Sequence, residues 1–269
     1  MDILHHTLEH TLPMIPVLFI TYLILELIEQ RHWNPRFLSH SHLSPVIASL
    51  AGLIPQCGLP SLYANLYAAK LITTGTLIAS FISCSDEMLP LLVSAKIPVQ
   101  KIFLILFVKF AAGSIFGILL HMNSKRVKSD IETLCHNENC GCESNIMKSA
   151  LIHTLKITWT LFLVTFVLEY IMHDAFHFIE QLMNVPVLFK LLLSVLVGLI
   201  PNCASSVLLT QLYLSEVLPF ASLIAGLCAN AGTGLVVLAR VNPDKKDTLR
   251  IILILIICSI LTGLVLSFI

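Results

Sequence analysis

The chain has 269 residues, of which 57% are hydrophobic and only 12% charged, and its mean hydropathy is +0.89. A soluble domain wets its surface with about 25% charged residues, so this composition excludes a water-soluble enzyme. Sixteen basic and sixteen acidic residues give a formal net charge of zero, which argues against a nucleic-acid or strongly acidic partner.

In chain order, Met1 to His6 lacks the basic segment and cleavage site of a signal peptide. The first apolar run, Leu12 to Ile28, therefore reads as a retained membrane helix. A second stretch runs from Leu43 to Lys70 with an interruption at Pro55-Gln56-Cys57-Gly58-Leu59-Pro60. A third runs from Thr73 to Val93, interrupted at Ser83-Cys84-Ser85-Asp86-Glu87, and a fourth from Ile102 to Met122. Within the fourth, Gly113 and Gly117 form a small-xxx-small pattern that permits close helix packing. After a polar stretch, Asn123 to Asn145, the pattern restarts with runs at Ala150–Ile171, Val187–Glu216, Pro219–Leu238 and Leu249–Ile269.

The restart is an internal repeat. A shift of 146 residues lays Gly52-Leu53-Ile54-Pro55-Gln56-Cys57 on Gly198-Leu199-Ile200-Pro201-Asn202-Cys203. The same shift matches Leu66-Tyr67 with Leu212-Tyr213, Leu77-Ile78-Ala79 with Leu223-Ile224-Ala225, and Gly117 with Gly263. Near the N-terminus a shift of 143 pairs Glu26 with Glu169. The chain thus divides into a first transmembrane repeat at 1–122, a cytoplasmic Cys/His-containing loop at 123–147, and a second transmembrane repeat at 148–269.

Lys and Arg set orientation. Arg31 and Arg36 follow the first run, Lys125, Arg126 and Lys128 lie in the central loop, and Arg240, Lys245, Lys246 and Arg250 cluster near the end. Placing all three groups inside puts equivalent loops on opposite sides, although Lys96 and Lys101 pull weakly the other way. The expected fold is an all-α polytopic integral membrane protein with two inverted repeats, each with broken or re-entrant helices. Counting each hairpin as two pieces gives ten segments, and the address is the cytoplasmic membrane.

The interruptions carry the candidate chemistry. Prolines and a glycine at 55–60 cannot sit in a continuous helix. In lipid such a break survives only where it is packed in protein or lines a cavity. Its counterpart is Pro201-Asn202-Cys203-Ala204-Ser205-Ser206. In the other interruption Ser83, Ser85, Asp86 and Glu87 supply hydroxyl and carboxylate oxygens, which suit a hard or borderline divalent cation. Its counterpart has lost both acids but keeps Asn230 and Thr233. The expected ion pathway is therefore Gln56, Cys57, Ser83, Ser85, Asp86, Glu87, Asn202, Cys203 and Asn230, with Glu26 and Glu169 able to neutralise a cation or carry a coupling proton. Asp86, Glu87, Cys57 and Cys203 are the metal-ligand candidates, and Lys109, deep in an apolar run, is a partner for a carboxylate. In the central loop Cys135, His136, Cys140 and Cys142 form a chelating set for a soft or borderline ion, without zinc-finger spacing. His173 and His177, with Asp174 between them, stand four apart on one helical face. They offer an intramembrane metalloenzyme as a weaker alternative.

Taken together, the Gly-Leu-Ile-Pro-Gln-Cys-Gly-x-Pro break, the Ser-x-Ser-Asp-Glu break, the Cys/His loop and the Pro-Asn-Cys repeat resemble a bacterial family. Its members are described as manganese transporters or as ten-segment heavy-metal exporters related by name to arsenic efflux. Members often have a more His-rich central loop than this one. The resemblance spans about His10 to Phe268 and implies metal export across the cytoplasmic membrane. No nucleotide or aspartyl-phosphate motif is present, so energy is expected from an ion gradient. The expectation is a secondary exporter of a divalent cation, not an enzyme, with no cofactor beyond the transported ion. The bilayer is its environment and a homo-oligomer is possible. A metalloid or organoarsenical permease, with Cys57 and Cys203 binding a thiophilic substrate, is the alternative.

Overall fold

A computed structural model describes residues 43–56, 58–122 and 186–268, with isolated positions at 15–16, 19–20, 23, 147, 151, 154–155, 158–159 and 162–163. Over the three continuous stretches it is all-helical. The first group is α1 (Ser44–Gly52), α2 (Gly58–Ala68), α3 (Thr74–Ser83), α4 (Met88–Ser94) and α5 (Val99–Met122). The second is α6 (Val187–Gly198), α7 (Cys203–Leu214), α8 (Phe220–Ala229), α9 (Gly234–Val241) and α10 (Lys245–Ser267). The interruptions read from sequence fall where the helices stop. One correction is local: Gly58, Leu59 and Pro60 open α2 instead of belonging to the break. Proline fits the first turn of a helix, where its missing N–H has no intrahelical partner to lose.

Within the first group α1 runs beside α3. The Ser44 hydroxyl meets Thr76 Oγ1 at 3.0 Å near their starts, and Gly52 abuts Ser80 and Ser83 near their ends. The chain then turns back through α2, whose Tyr67 hydroxyl meets Thr74 Oγ1 at 3.3 Å. Thus α1 begins and α2 ends at the same end of α3. Helix α5 packs antiparallel to α3, with Gly117 and His121 against Gly75.

These contacts recur 146 residues later. A Cβ placed on Gly117 would lie 2.7 Å from Ala79 Cβ, and one on Gly263 would lie 2.7 Å from Ala225 Cβ. Gly52 abuts the Ser80 carbonyl and Gly198 the Gly226 carbonyl. The turn after α2 places Lys70 at φ 56°, and the turn after α7 places Glu216 at φ 60°. The small-xxx-small pattern is thereby explained: Gly113 and Gly117 are small because Ser49, the Ala79 carbonyl and Ala79 Cβ leave no room for a side chain.

The two groups meet along α2 and α9. Ser61 Oγ and Thr233 Oγ1 lie 2.9 Å apart near the start of both helices. Near their far ends the Tyr67 hydroxyl donates to Asp247 Oδ2 at 2.8 Å, and Asn242 Nδ2 donates to the same oxygen at 3.1 Å.

Among the described residues, four helical stretches are long and apolar enough to cross a bilayer: Thr74–Ser94, Val99–Met122, Phe220–Val241 and Lys245–Ser267. The α3–α4 and α8–α9 stretches are mostly buried. Helices α5 and α10 instead expose an apolar face. On α10, Leu249, Leu253, Ile257, Leu261 and Val265 are exposed at every fourth position, whereas Ile251, Leu255, Cys258, Thr262 and Gly263 face inward. A helix that hides its small and polar residues and shows its large apolar ones is solvated by lipid.

Gly117→Val should therefore destabilise the purified protein by about 1–3 kcal/mol through overpacking against Ala79 and the Gly75 carbonyl. The check is thermal unfolding in detergent. Ile115→Val, on an exposed position of the same helix, should change the melting temperature little.

Candidate functional site

Eight helix ends come near one another where the chain breaks, since α1, α3, α6 and α8 stop there and α2, α4, α7 and α9 start there. Helix N-termini carry partial positive charge and C-termini partial negative charge. The site therefore has polarity built into its backbone before any side chain is counted.

Asp86 is the buried acid of this region, only 3% exposed. It lies between Ser83, the last residue of α3, and Met88, the first of α4. Ser206, in the first turn of α7, is a near neighbour of its carboxyl. The Ser206 hydroxyl also meets the Cys203 carbonyl at 2.8 Å. Gly232, in the α8–α9 break, has φ +51°, and a Cβ there would lie 3.2 Å from Asp86 Oδ2. The acid of one group thus lies beside both breaks of the other. Among the described residues Asp86 Oδ2 has no hydrogen-bond partner, and neither does Asn202 Nδ2 at the start of α7. A buried acceptor and a buried donor are both left open, each at a cost that a bound polar ligand or ion removes.

The other predicted residues separate. Ser83 and Ser85 are fully buried but hydrogen-bond locally, Ser83 to the Ala79 carbonyl at 2.8 Å and Ser85 to the Ser83 carbonyl at 3.0 Å. The Ser85 amide also donates to the Gly52 carbonyl at 3.1 Å, stitching the α3–α4 break to the end of α1. Asn230 turns its Oδ1 to the Gly232 amide at 2.8 Å, which shapes the break that receives Asp86. Cys203 is buried at the start of α7. Gln56 is half-buried, and so is Glu87, so the two neighbouring acids have different surroundings. Cys57, Glu26, Glu169, Cys135, His136, Cys140, Cys142, His173, Asp174 and His177 lie outside the described residues. Within those residues no three of His, Cys, Asp and Glu are grouped as for a metal.

Lys109 is wholly buried in α5. Its sequence position suggests a carboxylate partner, and its charge does act on Asp86. Its hydrogen bonds, however, go to backbone. Nζ donates to the Cys84 carbonyl at the end of α3 and, at 3.0 Å, to the Leu227 carbonyl in the last turn of α8. Sequence reasoning flagged the residue but not these partners, since a carbonyl carries no residue-type signal. Ser61 was missed altogether: a lone serine in an apolar run gives no hint that it meets Thr233 across the two groups.

Gly232→Ala should impair function and stability together. The positive φ costs a residue with a Cβ about 1–2 kcal/mol, and the added methyl crowds the open oxygen of Asp86. Substrate flux and melting temperature measured on the same preparation check this. Ala231→Gly, on the neighbouring buried residue, should leave Asp86 Oδ2 uncrowded and reduce flux less.

No curated protein and no solved structure matches the chain. A family model described as "Putative, 10TM heavy-metal exporter" matches residues 88–268, two thirds of the chain. That match covers both the lysine-bearing helix of the first group and all five helices of the second. Membrane-length apolar helices and this match agree: the chain belongs to the ten-transmembrane heavy-metal exporter family.

Proposed function

We propose that the protein is a secondary transporter that exports a divalent metal cation, manganese or another heavy metal, across the cytoplasmic membrane. The observation that carries this reading is the convergence of the chain breaks on Asp86, whose Oδ2 is buried and open. Asp86 brings a buried carboxylate to the breaks, and carboxylate oxygens suit manganese. The positive charge of Lys109 is offset separately by the two helix C-termini it bonds.

The reading includes two repeats of inverted topology with re-entrant hairpins α1–α2 and α6–α7. The Ser44–Thr76 and Tyr67–Thr74 contacts support the first hairpin, since both of its ends lie at the start of α3. The bond from Lys190 Nζ near the start of α6 to the Val217 carbonyl after α7, at 2.6 Å, supports the second. Opposite orientation is supported by Tyr67 bonding Asp247. This brings the α2–α3 turn of the first repeat to the α9–α10 turn of the second, not to its own counterpart after α7. Such an arrangement suits alternating access around a central site.

A second reading is a metalloid or organoarsenical permease. Lys109 favours it, because its positive charge acts on Asp86 and offsets part of the cost of burying that acid without a metal. Cys203, Cys228 and Cys258 are buried thiols outside any disulfide, the group a thiophilic substrate would bind.

The two readings part on a pair of substitutions tested in cells and in proteoliposomes. Asp86→Asn should lower divalent-cation efflux by at least about tenfold, the effect of losing a charged contact worth about 1.5–3 kcal/mol, and Cys57→Ser should weaken it only partly. If Cys57→Ser abolishes export and Asp86→Asn leaves it intact, the metalloid reading replaces this one.

A further inference from the structure

Lys109 is unusual in what it binds. The last carbonyls of a helix have no intrahelical donor, and each C-terminus carries roughly half a negative charge. Two such ends, those of α3 and α8, are satisfied here by a single Nζ, which donates to the Cys84 and Leu227 carbonyls. Together they present about one negative charge. Backbone carbonyls at the ends of interrupted helices are the groups that coordinate small monovalent cations in transporters. The side chain that bonds both ends here arrives from α5, is 0% exposed, and makes the same kind of contact to both groups of helices.

Its surroundings support an electrostatic role over simple packing. Around Nζ, α3 leads to the carboxyl of Asp86 and, beyond it, the half-buried Glu87; α8 contributes the Cys228 thiol, which is acted on by the Lys109 charge. The repeat-equivalent of Lys109 is Leu255, fully buried, and that of Asp86 is Gly232. Both charges therefore come from one repeat, and the second repeat provides the space and a carbonyl.

We propose that Lys109 fills a monovalent-cation site built by the facing C-termini of α3 and α8, so that the chain carries its own tethered cation where a free sodium or potassium ion would otherwise be held. The site belongs to the backbone, and the lysine makes it permanently occupied. Resting on the transporter reading, one consequence is that export by the natural sequence needs neither sodium nor potassium.

The test uses full-length purified protein and has an arm independent of transport. Lys109→Ala removes three methylenes and the amine, a shape that n-propylammonium restores. The variant should melt below wild type and should recover about half or more of the lost melting temperature with n-propylammonium, sodium or potassium, by ligand linkage. It should not recover with n-propanol or with N-methylglucamine at equal ionic strength, and wild type should respond to none of these ions. Recovery with n-propanol equal to that with the amine would mean hole-filling only and would overturn the proposal. So would indifference to every cation, or an equal response by wild type. Lys109→Met keeps the volume without the charge, and a melting temperature equal to wild type would also overturn it. In proteoliposomes, metal flux by wild type should be unchanged when sodium and potassium are replaced by N-methylglucamine. A sodium requirement there would overturn the tethered-cation role, whereas absence of any metal flux under every condition would count against the transporter reading and leave the melting result standing.

Discussion

The constraint on which the rest depends is that a backbone interrupted inside an apolar environment must find partners for every freed N–H and C=O. Among the described residues the chain is interrupted between α1 and α2, α3 and α4, α6 and α7, and α8 and α9. The interruptions solve the problem for one another. The Ser85 amide takes the Gly52 carbonyl, the Gly232 amide takes the Asn230 side chain, and Lys109 takes carbonyls from two helices. Breaks scattered through the bundle would leave orphaned groups; gathered in one place they form a polar interior.

Close packing around that interior comes from small residues, since lipid offers no hydrophobic drive between helices. Gly117 against Ala79 and Gly263 against Ala225 bring α5 onto α3 and α10 onto α8 at backbone distance. These contacts set where α5 lies. They thereby set how far the Lys109 side chain must reach to the ends of α3 and α8, so packing at one level fixes electrostatics at the next.

The central charges are asymmetric although the scaffold repeats. Asp86 and Lys109 face Gly232 and Leu255 at equivalent places. Two copies of each would place like charges together near the junction of the repeats, which is costly at low dielectric. Among the described residues, one buried acid and one buried base, with a glycine at φ +51° making room, avoid that repulsion and leave Asp86 Oδ2 open.

By itself the sequence determined the membrane class, the four long apolar stretches, the positions of the breaks and the register of the repeat. These follow from local chemistry: proline and glycine stop helices, runs of about twenty apolar residues span lipid, and Gly-Leu-Ile-Pro-x-Cys recurs in step. It also singled out Asp86, since an acid in an apolar run is rarely idle. Tertiary structure alone decided that Asp86 lies beside Ser206 and Gly232, that it is buried while Glu87 is half-buried, and that Lys109 binds carbonyls of two helices 143 positions apart, Cys84 and Leu227. The reason is that carbonyls are present at every residue and glycine backbones carry no side-chain label. Which of them face a given charge is settled by the packing of helices distant in sequence.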